Sequence, residues 1–304
     1  MAKVIVGQED IVEGVLIALV GQGHVLIEGV PGLGKTLLVR ALSRVLSLEF
    51  KRIQFTPDLM PSDVTGNKVY DAKKGELVFR AGPVFAQLLL ADEINRAPAK
   101  TQAALLESMQ DFQVTIDGAA YPLPRPFITM ATQNPVESQG TYPLPEAQLD
   151  RFMFKLNMTY PAKEEENRIL DNYLRGFDPR QLDSAGVQAV CSADQVEQMQ
   201  RLAAQIHVDR RVIDYITSLT GQTRNWGSLF MGASPRASVT LLLTSRIHAA
   251  MMGRDYVNPD DVRRLAPWTL RHRVILNPDA EIEGLTADDV VQEIIAAVEV
   301  PELR

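Results

Sequence analysis

Apolar residues in the first half of the chain follow two different periods. Short, mostly apolar segments predict strands at 25–28, 88–91 and 127–131, and the alternating segment at 52–55 predicts another. Between these segments, apolar residues recur at helical spacing over 35–46 and 101–110. Strands that alternate with helices in this way are typical of an α/β domain with a mainly parallel sheet.

Two segments interrupt this alternation and predict β-hairpins. The first spans 69–79, with the tripeptide Lys73-Lys74-Gly75 at its middle and β-forming residues on both sides. The second spans 114–123 and turns at Asp117-Gly118, a strong two-residue hairpin signal. Ordinary surface hairpins and functional insertions both fit this pattern.

Helical patterns dominate the second half of the chain, after Pro161. They occupy 163–175, 193–206, 211–222, 235–252, 259–265 and 287–298. Ser192, Ser234 and Asn258 precede three of these helices as N-capping residues, the last two followed by proline at the first helical position. We therefore predict an α/β core with two hairpin insertions at 1–160 and a helical domain at 161–304.

The composition narrows the class of protein. The chain has 304 residues, of which 46% are hydrophobic, too many for a disordered protein. Its net charge of -7 does not indicate a nucleic-acid-binding face, although it does not exclude a local basic groove. Cys191, the only cysteine, fits a reducing compartment. No run approaches the roughly 20 apolar residues that span a bilayer, and a secretory signal pattern is lacking, so we expect a cytoplasmic protein.

The segment after the first predicted strand matches the phosphate-binding pattern G-x-x-x-x-G-K-[ST]. Its residues, with the one that follows, are Gly29, Val30, Pro31, Gly32, Leu33, Gly34, Lys35, Thr36 and Leu37. The glycines allow a backbone conformation in which amide groups point at a phosphate. Lys35 would reach the β- and γ-phosphates of ATP, and the Thr36 hydroxyl would bind Mg²⁺. Because a strand precedes the pattern and a helix follows it, we predict a P-loop rather than a simple glycine-rich turn.

Two acidic residues, Asp92 and Glu93, end the third predicted strand. A parallel strand delivers its carboxyl end to the same edge of the sheet as the P-loop. Asp92 is predicted to hold the hydration shell of Mg²⁺, and Glu93 to act as the general base on the attacking water. A strand that simply exits into solvent would look the same in isolation, but the P-loop favours the functional interpretation.

Whole phrases of the sequence resemble the MoxR family of AAA+ ATPases. They are GHVLIEGVPG at 23–32, ADEINRAP at 91–98, ATQNP at 131–135 and GTYPLPEAQLDRF at 140–152. The resemblance covers about residues 6–254. It implies a P-loop AAA+ core followed by an all-helical lid domain, with the nucleotide between them, and a ring that is expected to be a hexamer. It also implies that Mg-ATP hydrolysis remodels or matures partner proteins, with a von Willebrand factor A-type domain protein as the expected partner.

The same resemblance implies roles for residues outside the P-loop. Asn134, after the fourth predicted strand, is similar to a sensor-1 residue that orients the water or the γ-phosphate, although Asn-Pro is also a turn dipeptide. Arg151 resembles the arginine finger that is supplied to a neighbouring subunit, since a guanidinium suits phosphate oxygens. Its alternative is a local ion pair with Asp150 or a nearby acid. Arg96 and Arg125 are competitors for the finger role.

Three further sites follow from the resemblance. Arg236 resembles a sensor-2 residue in the first turn of a lid helix, where the helix dipole disfavours a cation unless a bound triphosphate compensates it. Val6 and Gly7 resemble the segment that passes the adenine, although an ordinary helix start fits them equally well. Gln54, on the second predicted strand, is a weaker candidate for coupling ligand state to Glu93.

A nucleic-acid motor subunit is the alternative function. Lys73 and Lys74, at the tip of the first hairpin, would then track phosphates. The acidic balance of the chain and the lack of a separate DNA-binding module argue against this alternative. We therefore expect nucleic acid to be an unlikely partner.

Overall fold

The structure, a computed structural model, describes residues 4–73, 75–135, 140–183 and 185–302. The chain divides into two compact units, the first made of Met1–Leu144 and Leu156–Glu197, the second of Pro145–Lys155 and Gln198–Arg304. The helix that begins at Lys163 thus groups with the first unit, whereas we placed a boundary at Pro161. The domain limits 1–160 and 161–304 stay a prediction.

The helices and strands follow one another along the chain as α and β elements. The strands are β1 (Val25–Glu28), β2 (Phe50–Gln54), β3 (Gly66–Asp71), β4 (Glu76–Ala81), β5 (Leu88–Asp92), β6 (Gln113–Ile116), β7 (Ala119–Pro122), β8 (Ile128–Gln133), β9 (Phe154–Asn157), β10 (Leu229–Met231) and β11 (Ile275–Leu276). The helices are α1 (Glu9–Val20), α2 (Lys35–Leu46), α3 (Pro61–Thr65), α4 (Ala99–Asp111), α5 (Glu146–Leu149), α6 (Lys163–Leu174), α7 (Ala193–Ala203), α8 (Arg210–Thr223), α9 (Pro235–Met251), α10 (Pro259–Leu270), α11 (Pro278–Ile282) and α12 (Ala287–Ala297).

A parallel sheet with the strand order β2-β5-β8-β1-β9 forms the centre of the α/β fold. The pairs β2 with β5, β5 with β8 and β1 with β8 are all parallel. The apolar residues of β1 and β5 are fully buried, as expected for strands that helices cover on both faces. The predicted α/β class with a mainly parallel sheet is confirmed. The edge strand β9, only four residues long, had no distinct signal in the sequence.

Both segments that interrupt the alternation turn back as antiparallel pairs. β3 pairs with β4, so that Val69 lies opposite Val78, and β6 pairs with β7. The two hairpins contact each other, because the ring of Phe79 stacks on that of Tyr121 with centroids 4.0 Å apart. Lys74, half of the predicted basic tip, lies outside the described residues.

The second unit is mainly helical and carries one short antiparallel pair, β10 with β11. α10 runs to Leu270, five residues past the predicted end at 265, and contains Pro267. A proline removes one helical hydrogen bond and so disfavours a helix that continues past this point. Burial of Trp268 and Leu270 favours continuation of the helix.

A buried carboxylate ties α9 to the start of α10. Asp261, whose side chain is 1% exposed, accepts two hydrogen bonds from Arg254 at 2.8 and 2.6 Å and one from His248 Nδ1 at 2.6 Å. It also completes a capping box with Asn258, the predicted N-cap. Burial by itself would raise the pKa of Asp261, but the bonds from Arg254 and His248 outweigh it and hold the pKa at about 2.

Candidate nucleotide-binding site

Three neighbouring parallel strands end at the predicted site residues. β1 runs directly into the loop that begins at Gly29, β5 ends at Asp92, and β8 is followed by Asn134. Because β8 pairs with both β1 and β5 in parallel register, these carboxyl ends lie side by side at one edge of the sheet. Asn134 is buried there. The fold thus brings the predicted P-loop, acidic pair and sensor residue together.

The backbone of the loop after β1 requires glycine at three positions for two different reasons. Gly32 and Gly34 have φ angles of 88° and 84°, which L-residues rarely adopt, while the space beside them is open. Gly29 has an ordinary φ, but a Cβ there would lie 2.7 Å from the carbonyl oxygen of Met158. Gly34 is the N-cap of α2, so the amides of the first turn face the open side of the loop. This arrangement suits a phosphate group.

Lys35, the first residue of α2, is half-buried and directed back into the loop. Its Nζ donates a hydrogen bond to the carbonyl oxygen of Gly29 at 2.5 Å. Burial lowers the pKa of Lys35, and the carboxylates of Asp92 and Glu93 partly offset this effect. The cation is therefore held among the acids at the sheet edge. Thr36 follows it in the first turn of α2.

A cavity of about 190 Å³ adjoins the loop within the first unit. Its walls are mainly apolar and include Val6, Leu33, Leu37, Met158 and Tyr173. The predicted adenine segment thus lies beside the predicted P-loop, just before α1 begins at Glu9. Tyr173 comes from α6, far along the chain, and it lines the cavity although the residue is 52% exposed.

Gly7, next to Val6 in this segment, has a φ of 70°. A Cβ at this position would clash with the carboxylate of Glu165 at the start of α6. The backbone conformation therefore favours glycine here, and a larger residue would also displace the Glu165 side chain. The Gln8 side chain donates to the carbonyl oxygen of Thr159 at 3.1 Å and fixes the segment to the chain ahead of α6.

The hydroxyl of Thr132 organises the acidic pair. Thr132 Oγ1 donates to Asp92 Oδ1 at 2.6 Å and accepts a hydrogen bond from the backbone N–H of Glu93 at 2.8 Å. Glu93 itself lies in the left-handed region, with φ 56° and ψ 51°. Arg52 donates to the other oxygen of Asp92 through Nη2 at 2.6 Å and Nε at 3.1 Å. Both oxygens of Asp92 are thus fixed by neighbouring strands.

The carboxylate of Glu93 has two partners in the first unit. Gln54 Nε2 donates to Glu93 Oε2 at 2.6 Å, so the residue suspected of coupling to Glu93 does touch it. Arg96 Nε lies 3.2 Å from the same oxygen. Arg96, one of the two other candidates for the arginine finger, thus forms an ion pair within its own chain. Arg125, the other candidate for the finger role, precedes β8. It therefore lies near the amino-terminal ends of the parallel strands, whereas the P-loop lies at their carboxyl-terminal ends.

Arg151 and Arg236 lie in the second unit, close to Asp150. Asp150 pairs with Arg273 at 2.7 Å, and its second oxygen is 3.7 Å from Arg236 Nη1. Among the described residues, Asp150 pairs with these two arginines and not with Arg151, so the alternative considered for Arg151, an ion pair with Asp150, is not present. Ser234, the N-cap of α9, donates to Asp150 at 3.2 Å and makes no capping bond with its own helix. Asp150 thus places a carboxylate near the cation at the start of α9, and the sensor-2 role of Arg236 stays a prediction.

Three residues of these networks were not found by sequence reasoning, namely Arg52, Thr132 and Arg273. Arg52 and Thr132 reach Asp92 from neighbouring strands, and Arg273 reaches Asp150 from 123 positions away. Thr132 stands inside the phrase at 131–135, which is the one signal that could have found it. Arg52 and Arg273 carried no signal, because an arginine in a strand or a turn is ordinary.

The oxygen groups at the sheet edge fit a magnesium ion. In nucleotide sites Mg²⁺ is bound by one or two protein oxygens together with substrate phosphates, and it rarely has an all-protein cage. Thr36 and Asp92 supply a hydroxyl and a carboxylate of this kind. In the described part of the chain, no group of three or more His, Cys, Asp or Glu side chains could hold a metal by itself. The donor set therefore suits a hard ion that is shared with a phosphate.

Comparison with known proteins extends beyond this site to nearly the whole chain. Residues 24–154 match the model of the ATPase family associated with various cellular activities (AAA), and residues 221–294 match that of the AAA lid domain. The chain is 47% identical to Uncharacterized protein YeaC of Bacillus subtilis, over 99% of this chain and 93% of YeaC. It is 44% identical to Chaperone MoxR1 of Mycobacterium tuberculosis, over 99% of this chain and 81% of that protein. A crystal structure from Cytophaga hutchinsonii is 42% identical, with a TM-score of 0.90, over 99% of this chain and 92% of that one.

Proposed function

This chain belongs to the MoxR family of AAA+ ATPases, and on that premise we propose that it binds Mg-ATP on its P-loop and hydrolyses it to ADP and phosphate. One observation carries the proposal. Three adjacent parallel strands end in a glycine loop with a half-buried lysine, an acidic pair and a buried asparagine, all at one edge of the sheet. A phosphate cradle, a metal ligand, a base and a neutral donor are the parts that phosphoryl transfer to water requires.

Each group has one task in this reaction. The amides of Gly32, Gly34 and Lys35 bind the phosphate oxygens, and Lys35 neutralises charge on the β- and γ-phosphates. Thr36 and Asp92 hold Mg²⁺, which supplies further charge neutralisation when bound. Thr132 and Arg52 orient Asp92 for this task.

Glu93 is the proposed base, aimed at the attacking water. It accepts the proton of the water as oxygen attacks the γ-phosphorus and the bond to ADP breaks. Gln54 and Arg96 hold its carboxylate in position. Asn134, buried after the end of β8, orients the water or the γ-phosphate as a donor that carries no charge. Val6 lines the cavity proposed for the adenine, and Gly7 follows it in the same segment.

The proposed output is mechanical. ATP binding favours a ring, with a hexamer as the expected size, in which Arg151 of one subunit serves the γ-phosphate of its neighbour. Arg236 senses nucleotide from the start of α9. Hydrolysis then remodels or matures a protein partner in the cytoplasm, and a von Willebrand factor A-type domain protein is the proposed client. The name of the relative Chaperone MoxR1 supports this direction.

Two matched variants test the proposal. Glu93→Gln keeps the shape of the side chain and removes the base, so it should bind ATP as the parent does and release almost no phosphate. Lys35→Ala removes the cation of the cradle and should lose ATP binding itself. Phosphate release and binding of a fluorescent ATP analogue would be measured side by side. Parent-like hydrolysis by Glu93→Gln, or tight ATP binding by Lys35→Ala, would overturn the assignment.

The alternative, a nucleic-acid motor subunit, is not favoured by these comparisons. A salt series separates the two functions, because binding through phosphate contacts weakens steeply with salt. We expect ATP turnover without stimulation by DNA. Strong DNA stimulation that fades as salt rises would support the motor instead.

A further inference from the structure

The buried guanidinium of Arg273 holds the segment that carries Arg151. Arg273 lies in the turn after α10, and its side chain is 2% exposed. Its Nη2 donates to the carbonyl oxygen of Phe152 at 2.6 Å and to that of Asp150 at 3.3 Å. These two carbonyls belong to the residues on either side of Arg151. The backbone is therefore fixed immediately before and after the proposed finger.

The remaining donors of Arg273 complete a closed network. Nε donates to the carboxylate of Asp150 at 2.7 Å, and Nη1 donates to Met153 O at 3.2 Å and Thr269 O at 2.6 Å. His272 Nε2 adds a second donor to Phe152 O at 3.1 Å. Only arginine offers a planar fork with donors on three nitrogens, whereas lysine is a single point donor. A cation buried at this depth is retained only with such complete pairing.

Asp150 extends this network to the start of α9. It receives Ser234 Oγ at 3.2 Å, and its carbonyl oxygen receives Arg236 Nη1 at 3.4 Å. The segment that bears Arg151 and the helix that bears Arg236 are thus fastened to the same residue within the second unit. A change in the contacts of Arg236 would therefore shift Asp150 and, with it, the segment that bears Arg151.

We propose that Arg273 is the positioning residue for Arg151, and that Asp150 connects this position to Arg236. The inference rests on the proposed function, since it needs ATP turnover and a finger that acts between subunits. Arg273 acts through the backbone around Arg151 and is not proposed to touch substrate or metal. By holding the backbone on both sides, Arg273 sets the direction in which the Arg151 side chain projects. A displacement of about 1 Å at a catalytic group can lower the rate by about a hundredfold.

Arg273→Lys tests this role, with Arg271→Lys as the matched control. Arg271 stands two residues earlier and pairs with Asp288 at 2.9 Å. Arg273→Lys should bind ATP within about threefold of the parent, yet its kcat should fall by about tenfold to a hundredfold. Hydrogen exchange of a peptide covering 150–153 should become faster in Arg273→Lys and stay unchanged in Arg271→Lys.

Mixing experiments separate a positioning role from general damage to the second unit. Arg273→Lys mixed with Lys35→Ala should regain activity, because Lys35→Ala supplies an intact finger to an intact ATP site. Arg273→Lys mixed with Arg151→Ala should not, because neither chain offers a working finger. If thermal melting shows that Arg273→Lys fails to fold, Asp150→Asn replaces it, since it keeps the carbonyl contacts and removes the carboxylate charge.

The possible failures are distinguishable. A parent protein without ATP turnover would refute the proposed function, and the inference would fall with it. If the parent is active and Arg151→Ala is rescued by Lys35→Ala while Arg273→Lys is not, Arg273 supports its own unit and does not position the finger. Parent-like turnover by Arg273→Lys would also overturn the inference.

Discussion

Replacement of Thr132 by valine is the sharpest test of how the acidic pair is built. Valine has nearly the same shape as threonine, but it cannot donate to Asp92 or accept from the N–H of Glu93. Thr132 is fully buried, so water does not readily replace these bonds. The substitution therefore removes two hydrogen bonds from the two residues proposed to act on Mg²⁺ and on the attacking water.

The expected magnitude follows from these bonds. A hydrogen bond to a charged group contributes about 1.5–3 kcal/mol, and a buried N–H left without a partner costs about 1–3 kcal/mol. If about 1.5–3 kcal/mol of this loss appears as poorer positioning in the transition state, kcat falls by about ten- to a hundredfold. ATP affinity should stay within about threefold of the parent, because the P-loop is unchanged.

Thr129 provides a matched control in the same strand. It is also fully buried, and within the described residues its Oγ1 has no hydrogen-bond partner. Thr129→Val should therefore leave kcat unchanged and keep or raise the melting temperature, whereas Thr132→Ser should keep most of the activity. Steady-state phosphate release and fluorescent ATP binding would be measured for all three variants. If Thr132→Val binds ATP and hydrolyses it within twofold of the parent, the hydroxyl does not organise the site.

Three further expectations concern the second unit and assembly. Arg151→Ala should bind ATP but hydrolyse it poorly, and mixing it with Lys35→Ala should restore part of the activity; a co-assembled mixture without recovery would pass the finger role to Arg96 or Arg125. Glu93→Gln with ATP should form a larger species than the nucleotide-free protein in light scattering, and a monomer under both conditions at tens of micromolar would contradict the ring. Asp261→Asn should destabilise the second unit. The pKa of Asp261 falls from 3.8 to about 2 in the folded protein, so ionisation of this carboxyl group contributes about 2.5 kcal/mol to the free energy of unfolding. This contribution is present above pH 4 and is lost as pH falls toward 2, so thermal melting of Asp261→Asn should approach that of the parent only in acid.

The elements that depend on nearby residues could be predicted from the sequence. The bounds of β1 and α2 follow from local apolar periodicity, and the loop between them follows from glycines whose conformation is a local property. The assembly of strand ends at one edge was also predictable, because parallel strands align their carboxyl ends. Local periodicity, the glycine pattern and the alignment of parallel strands were therefore enough to predict the α/β class and the candidate residues Lys35, Asp92 and Glu93.

Tertiary structure alone decided which side chains surround those residues. Thr132 meets Asp92 because β8 lies next to β5 in the sheet, and no local period encodes that strand order. Arg273 meets Asp150 across 123 positions, within a buried network that must satisfy a charge. α10 likewise continues through Pro267, because burial of Trp268 and Leu270 outweighs a local preference. Periodicity along the chain reports which face of an element is buried, whereas the partner on that face depends on how distant elements pack.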